Sequence, residues 1–541
     1  MKTKYFKLNL DAMLTLAAIF ITLFQSSCTK NFEKYNTNKY NATDSLLKID
    51  GEGLGTFLVP MQLGIVNSVN YNFQVQENLN ADIFSGFMMT GDAGFNPNNH
   101  TYALNPGWNT APFDIGFGTI MANWVQVKAH VSATSQDYLA VANILKVDAM
   151  QRVTDVYGPM PYTQVGKGGL TTPYDSQQTV YTTFFADLDF AVKTLTQYVK
   201  ANPGIQPFKP YDLVYGGDYK EWIKFANSLR LRLAIRIAMV DPATAKTQAE
   251  TAVSDPGGLI STNTDNAYVK AANGVTFTNP FWSVCYEYLD TNLGAPMECY
   301  LKGYNDPRLA AYFVPNPDTL AATGKSVYHG IRNGILLDNS TEYAPASKFN
   351  MTNTSPIRLM AASEVSFMQA EGVLRGWNMG GGTSQSFYEQ GITLSFAQSN
   401  VPLGNYLTDA TSTEAPFVDI VRATNNEPAG STNLSTITIK WNDGDTYQRK
   451  LERIITQKWL ALWPDGDEAW AEFRRTNYPV LLPVIINASQ GTIDTKIMIR
   501  RLPFSQKEYQ TNAAEVTKAI SLLGGPDNGG TRLWWDLATK N

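Results

Sequence analysis

The sequence predicts a mainly α protein with large loop-rich insertions that carry little β structure. Two observations carry this reading. Apolar residues recur at three- and four-residue steps in at least six stretches, which is the period of one helix face. Between them, residues 80–117 and 255–356 mix aromatic side chains with Asn, Gly and Pro and hold no sustained period. The 541 residues suffice for one large domain, expected over 47–541.

The first element is an export signal. Lys2, Lys4 and Lys7 precede an apolar run from Ala12 to Phe24, too short for the roughly 20 residues of a membrane span. Ser26 and Ser27 stand before Cys28, where a bacterial lipoprotein is cut and acylated, although Gln25 replaces the usual Leu. The expectation is a signal peptide over 1–27 and a lipidated Cys28 that fixes the chain to a membrane surface. The Asn-rich stretch through Leu46 then serves as a tether (28–46).

The next elements follow in chain order. Tyr138, Val141, Leu145, Ala149 and Val153 trace a helix face that stops at Tyr157-Gly158-Pro159. A second helix starts after the N-caps Asp175 and Ser176 and carries Val180, Phe184, Leu188, Val192 and Leu195. A third opens at Asp218, with Trp222, Phe225, Leu229 and Leu233 inward. Asn227, Arg230, Arg232 and Arg236 on it are expected to tie neighbouring helices through hydrogen bonds. Further helical patterns span about 363–376, 383–398 and 448–463. No internal period near 34 residues is legible.

Composition narrows the function. A net charge of −5 gives no basic footprint for nucleic acid. The three histidines are scattered, and no metalloprotease pair, nucleophile elbow or phosphate loop is present. Pro464-Asp465-Gly466-Asp467-Glu468 lacks the spaced ligands of a calcium loop and reads as a turn into a helix holding Trp470 and Phe473. No enzyme activity and no cofactor are expected, and no metal-ligand set is identified. Cys285 and Cys299 are either a disulfide or two buried thiols.

Several segments together resemble one family. They are NFEKYNTN at Asn31–Asn38, DVYGPMPY at Asp155–Tyr162, YGGDYKEWIKFANSLRLRLAIRI at Tyr215–Ile237, and SEVSFMQAE at Ser363–Glu371. ITQKWLALWPDGDEAWAEFRR at Ile455–Arg475, the Arg500–Phe504 run and Leu533–Asp536 complete the set. In this order behind a lipoprotein signal, they resemble the SusD/RagB outer-membrane lipoproteins. That resemblance implies a SusD-like fold on a tetratricopeptide-like helix-pair scaffold, with loops building the ligand face. It also implies a cell-surface, lipid-anchored position and a SusC-type TonB-dependent transporter as partner, over which the protein acts as a lid.

A sugar ring offers an apolar C–H face and a polar rim, so exposed aromatic planes beside Asn side chains are the expected contacts. Trp282, which follows Asn279-Pro280, leads the candidates, followed by Phe95 and Trp108. Tyr286, Tyr304, Asn98 and Asn305 complete the set. The cargo expected is an oligosaccharide or polysaccharide; an oligopeptide is the alternative, and a surface glycosidase on the same scaffold is a third reading.

Overall fold

The structure, a computed structural model, describes residues 52–316 and 327–540. The signal segment, Cys28, its tether and the Asn31–Asn38 motif lie outside the described residues. The longer helices are α1 (Glu52–Gly64), α2 (Ala122–His130), α3 (Gln136–Tyr157), α4 (Gln177–Ala201), α5 (Tyr219–Arg236) and α6 (Pro242–Ser254). They continue as α7 (Ala295–Gly303), α8 (Ala362–Leu374), α9 (Ser384–Gln398), α10 (Tyr447–Leu462), α11 (Gly466–Thr476) and α12 (Ala513–Leu523).

Side-chain caps set the starts of several helices by satisfying amides that have no partner within the helix. The Ser176 hydroxyl accepts from Thr179 N before α4, and the Asp465 carboxylate accepts from Glu468 N before α11. Thr383 and Ser386 form a reciprocal capping box before α9. The stop after α3 is Gly158 at φ +88°, a conformation that a side chain disfavours. Consecutive helices pack as pairs, α3 with α4, α5 with α6, α8 with α9 and α10 with α11. Further contacts of α4 with α5, α5 with α8 and α8 with α10 join the pairs into the scaffold.

The α3 helix is buried over nearly its whole length, and Arg152, Asp155 and Tyr157 on it find partners inside the protein. Arg232 on α5 forks onto Glu364 of α8 at 2.7 and 2.8 Å. Arg236 bonds Asp155 of α3 at 3.2 Å and Glu472 of α11 at 2.9 Å, and also contacts Glu468. Arg230 donates to Gln248 of α6 at 2.7 Å, and Asn227 to the Gly258 carbonyl at 3.0 Å. The expected tying of helices by this row is therefore present. Asp465, from the Pro-Asp-Gly turn, pairs with both terminal nitrogens of Arg152 at 3.0 and 2.8 Å. That turn is a helix start locked to the scaffold.

Strand content among the described residues is three short antiparallel pairs. These are β1 (Met88–Met89) with β3 (Asn292–Leu293), β2 (Ala267–Val269) with β6 (Ile357–Met360), and β4 (Phe313–Val314) with β5 (Lys348–Phe349). Five of these six strands fall within the two insertions, and β6 begins just after the second. They staple the insertions to each other and to the helices.

Two expectations need correction. The irregular stretch read over 80–117 ends at Thr110; helix runs from Ala111 through a π-helical segment, Gly116–Met121, into α2. Gly116 permits this, since a Cβ there would lie 2.7 Å from Val153 Cγ2 on α3. The disulfide alternative is not formed, because Cys285 and Cys299 are separate buried free thiols. Cys285 accepts from Phe349 N within the main core, whereas Cys299 packs with Ala295, Phe417 and Leu482 in a small satellite cluster. Burial pushes the Cys285 thiol up to about 12.

Candidate functional site

Asn279 and Pro280 start a helical turn, Pro280–Trp282, in which the Asn279 side chain accepts from Trp282 N at 3.2 Å. The turn continues as a π-helical segment, Ser283–Glu287. Phe281 is driven into the core against Phe73, with ring centroids 4.4 Å apart, and this turns Trp282 to the other side. Trp282 and Tyr286, four residues apart, are both half-buried and lie nearly parallel at 5.7 Å and 23°. Tyr286 is fixed by its hydroxyl, which donates to the Phe349 carbonyl at 2.6 Å, and Lys348 Nζ lies 5.3 Å from its ring centre. The result is a stacked pair of half-buried rings with a cation over Tyr286.

Exposed Tyr288 and Leu289 follow, then Asp290, whose carboxylate accepts from Gln74 at 2.6 Å. Burial pushes the Asp290 carboxyl up to about 6; the Asp92 carboxylate, within hydrogen-bonding reach, acts the same way, and the Gln74 amide opposes it. Asp92 caps the short turn that holds Phe95, accepting from Gly94 N at 2.8 Å, and also receives the Ser340 hydroxyl. Asn96 bonds the Leu337 backbone in both directions, at 2.7 and 3.3 Å. Loops 92–96, 288–290 and 337–340 thus meet at one polar junction.

Phe95 and Trp108 form a second half-buried pair, edge to face at 5.4 Å and 87°. Their planes are nearly perpendicular, whereas those of Trp282 and Tyr286 are stacked. Asn98 is spent within its loop, with its carbonyl accepting from Thr101 Oγ1 at 3.0 Å and its Oδ1 facing Asn105 at 3.4 Å. Asn305 is exposed at φ +50° just beyond α7, where it serves the turn. Tyr304 is removed from the candidate set, because it is 2% exposed and its hydroxyl donates to the Ile437 carbonyl at 3.0 Å. Its ring is part of the core.

Sequence reasoning missed Gln74, Asp92, Asp290 and Lys348. Asp290 ends the run Tyr286-Glu287-Tyr288-Leu289, and that composition was the available signal. The arrangement offers aromatic faces, amides and carboxylates for a polar ligand with apolar faces. Among the described residues no group of three or more His, Cys, Asp or Glu side chains is placed to hold a metal ion.

Comparison with known proteins agrees with this architecture. The family model described as SusD-like, SusD and RagB outer membrane lipoprotein, matches residues 34–536. A chitin-binding SusD homolog from Flavobacterium johnsoniae is 40% identical, with a TM-score of 0.85 over 90% of this chain and 99% of that one. A SusD homolog from Bacteroides uniformis is 39% identical, with a TM-score of 0.82 and the same shares. One from Bacteroides vulgatus is 35% identical, with a TM-score of 0.84 over 90% of this chain and 98% of that one. No curated protein matches the chain. A match that spans nearly the whole sequence, on a helix-pair scaffold with loop-built insertions, places this chain in the SusD-like family of outer-membrane lipoproteins.

Proposed function

We propose that the protein is a non-catalytic cell-surface lipoprotein that captures oligosaccharides and hands them to a SusC-type TonB-dependent transporter, over which it acts as a lid. The family is in general one of non-catalytic, glycan-binding lipoproteins of nutrient uptake. The observation that carries the finer reading is the Trp282–Tyr286 pair, two stacked half-buried rings beside Lys348 and the Asp92–Asp290 junction. Such a surface covers the C–H faces of sugar rings, and polar groups at its edge meet their hydroxyls. Phe95, Trp108 and Asn98 form the second wall in this reading, and Asn305 takes no part.

The chitin-binding relative at 40% identity makes oligomers of N-acetylglucosamine the first cargo to try. Calorimetry of the chain lacking residues 1–28 should show heat with chitin oligosaccharides and none with a protein digest. Binding of peptides without any glycan response would replace this reading with the oligopeptide one.

A further inference from the structure

The segments around Leu481 and Ile497 border a cleft of about 410 Å³, within the roughly 300–1,000 Å³ of small-molecule sites. It shares no residue with the Trp282–Tyr286 pair. Val480, Leu481, Pro483, Ile497 and Met498 make part of its lining apolar, and Ile497 is 43% exposed. The charged side chains that line it are Lys496 and Arg532, and no Asp or Glu among the described residues does so.

Both cations have donors to spare. Lys496 is exposed; its backbone amide donates to Asp494 at 2.7 Å, and its ammonium has no partner among the described residues. Arg532 gives Nη1 to Asp536 at 2.8 Å, which leaves its Nε–Nη2 edge without a partner among the described residues. Two parallel N–H groups on such an edge match the two oxygens of a planar carboxylate.

The charge behind the cleft is also unbalanced. Asp536 is shared, because it accepts from Arg500 at 2.8 and 2.9 Å and from Lys540 at 2.6 Å as well. Arg500 lies 5.6 Å from the ring centre of Phe473, and that ring lines the cleft. Arg474, next to Phe473 on α11, is buried and donates to the Trp470, Asp155 and Arg500 carbonyls in place of a carboxylate. Burial pushes its guanidinium down to about 9, with Asp155 and Asp536 opposing and Arg500 acting with burial. Other carboxylates nearby are engaged: Glu427, which receives Asn433 at 3.2 Å, pairs with Arg332 at 2.8 Å, and Asp155 bonds Arg236 at 3.2 Å. Lys496, Arg532, Arg500, Lys540 and Arg474 therefore outnumber Asp536 and Asp494 here, in a chain whose net charge is −5. A neutral ligand leaves this charge unanswered, and a small inorganic anion leaves the apolar wall bare.

We propose that this cleft binds a carboxylate carried on an apolar body, with the carboxylate at Lys496 and Arg532 and the body against Leu481 and Ile497. A uronate unit of a glycan and the C-terminal end of a peptide are two sources of that one chemistry. The proposal stands beside the glycan reading of the Trp282–Tyr286 pair and does not depend on it.

The test is calorimetry and saturation-transfer NMR of the full chain in detergent, with methyl glucuronide and methyl glucoside, N-acetylleucine and its amide, and inorganic phosphate. At least one carboxylate should bind, with its neutral counterpart about tenfold weaker, and Lys496→Ala and Arg532→Gln should each weaken it by about tenfold. Added salt should weaken it further. Lys496 is exposed, so its variant serves if Arg532→Gln disturbs Asp536. Trp282→Ala should leave carboxylate binding unchanged. Binding of methyl glucuronide identifies the glycan source, and binding of N-acetylleucine the peptide source.

Equal binding of the charged and neutral members of both pairs overturns the proposal. So does phosphate that competes as well as either carboxylate, carboxylate binding that survives both Lys496→Ala and Arg532→Gln, or no binding of either carboxylate. Titration of the same protein with chitohexaose reads the other site separately: its binding keeps the glycan reading whatever becomes of the cleft.

Discussion

Trp282 and Tyr304 show how two aromatic residues in similar local sequence acquire opposite roles. Trp282→Ala should weaken oligosaccharide binding by about 1 kcal/mol, roughly fivefold, as measured by calorimetry, because half of a stacking surface is removed. Tyr304→Phe should leave binding unchanged and lower stability by about 1–3 kcal/mol in urea melts, because the buried Ile437 carbonyl loses its donor. Both stand among Asn, Asp and Gly, and composition could nominate both. Only packing separates them: Tyr304 turns into the core beside Tyr406, whereas Phe281 takes the core position next to Trp282. A third residue-scale outcome concerns His100, 2% exposed, whose imidazole is pushed down to about 4 by burial, with a hydrogen bond to the Ile335 backbone opposing. Its folded value lies below its ordinary 6.5, so the unfolded chain takes the proton first, and stability falls as pH drops from about 6.5 through 4. The full loss is on the order of 3 kcal/mol. Asp290, raised to about 6, contributes in the opposite sense, its stabilisation being lost as pH rises from about 4 through 6. Asp148, raised by burial to about 6, and Asp467, raised by burial to about 7, act in the same sense as Asp290, so the slope of the unaltered chain mixes all of these with the histidine. The difference between it and His100→Gln, followed by urea melts from pH 4 to 7, isolates the histidine, and the variant should be the less acid-sensitive of the pair.

At the level of elements, the helix pairs are held by buried charge as much as by apolar faces. Arg232 of α5 donates to both Glu364 oxygens, and both side chains are nearly inaccessible. Arg232→Met should cost about 3–5 kcal/mol, since the glutamate is left buried and unpaired. Adding Glu364→Leu in the same chain should recover a large part of that loss, a contrast readable from two urea midpoints. If the single and double variants lose equally, the packing of the arginine stem rather than the charge explains the cost. The helices themselves were legible within a residue or two wherever an apolar stripe was bounded by caps. α4 begins after Ser176, α9 after Thr383, and α3 ends at Gly158, as their sequences indicate. The arginine row of α5 was legible as ties, but its partners were not, because Glu364 and Glu472 lie more than a hundred residues away. Helix at Ala111–Met121 was hidden for a different reason. Gly116, which breaks the local pattern, lets this segment approach Val153 of α3, a requirement set by a neighbour.

For the whole molecule, the absence of a legible repeat has a structural cause. The paired helices differ in length, from 22 and 25 residues in α3 and α4 to 18 and 13 in α5 and α6 and 13 and 15 in α8 and α9. The 255–356 insertion further separates the second pair from the third. Stacked helix pairs can therefore persist in space while no period survives in sequence. The loops freed from the scaffold carry the Trp282–Tyr286 pair, which is held by contacts with Asn279 and Phe349. Lipid attachment and ligand capture are thus separable in the proposed design: the anchor sets where the binding face works, and the scaffold sets what it binds. Cys28→Ala should abolish labelled palmitate incorporation and shift the protein from the membrane fraction to the soluble one, while calorimetry with chitin oligosaccharides stays unchanged. The unaltered protein, extracted gently from outer membrane, should co-purify with a much larger barrel protein. Recovery of the native chain only as a free monomer would count against the lid. Loss of glycan binding in Cys28→Ala would show that the anchor contributes to the site itself, against a scaffold that holds its aromatic surfaces by internal contacts alone.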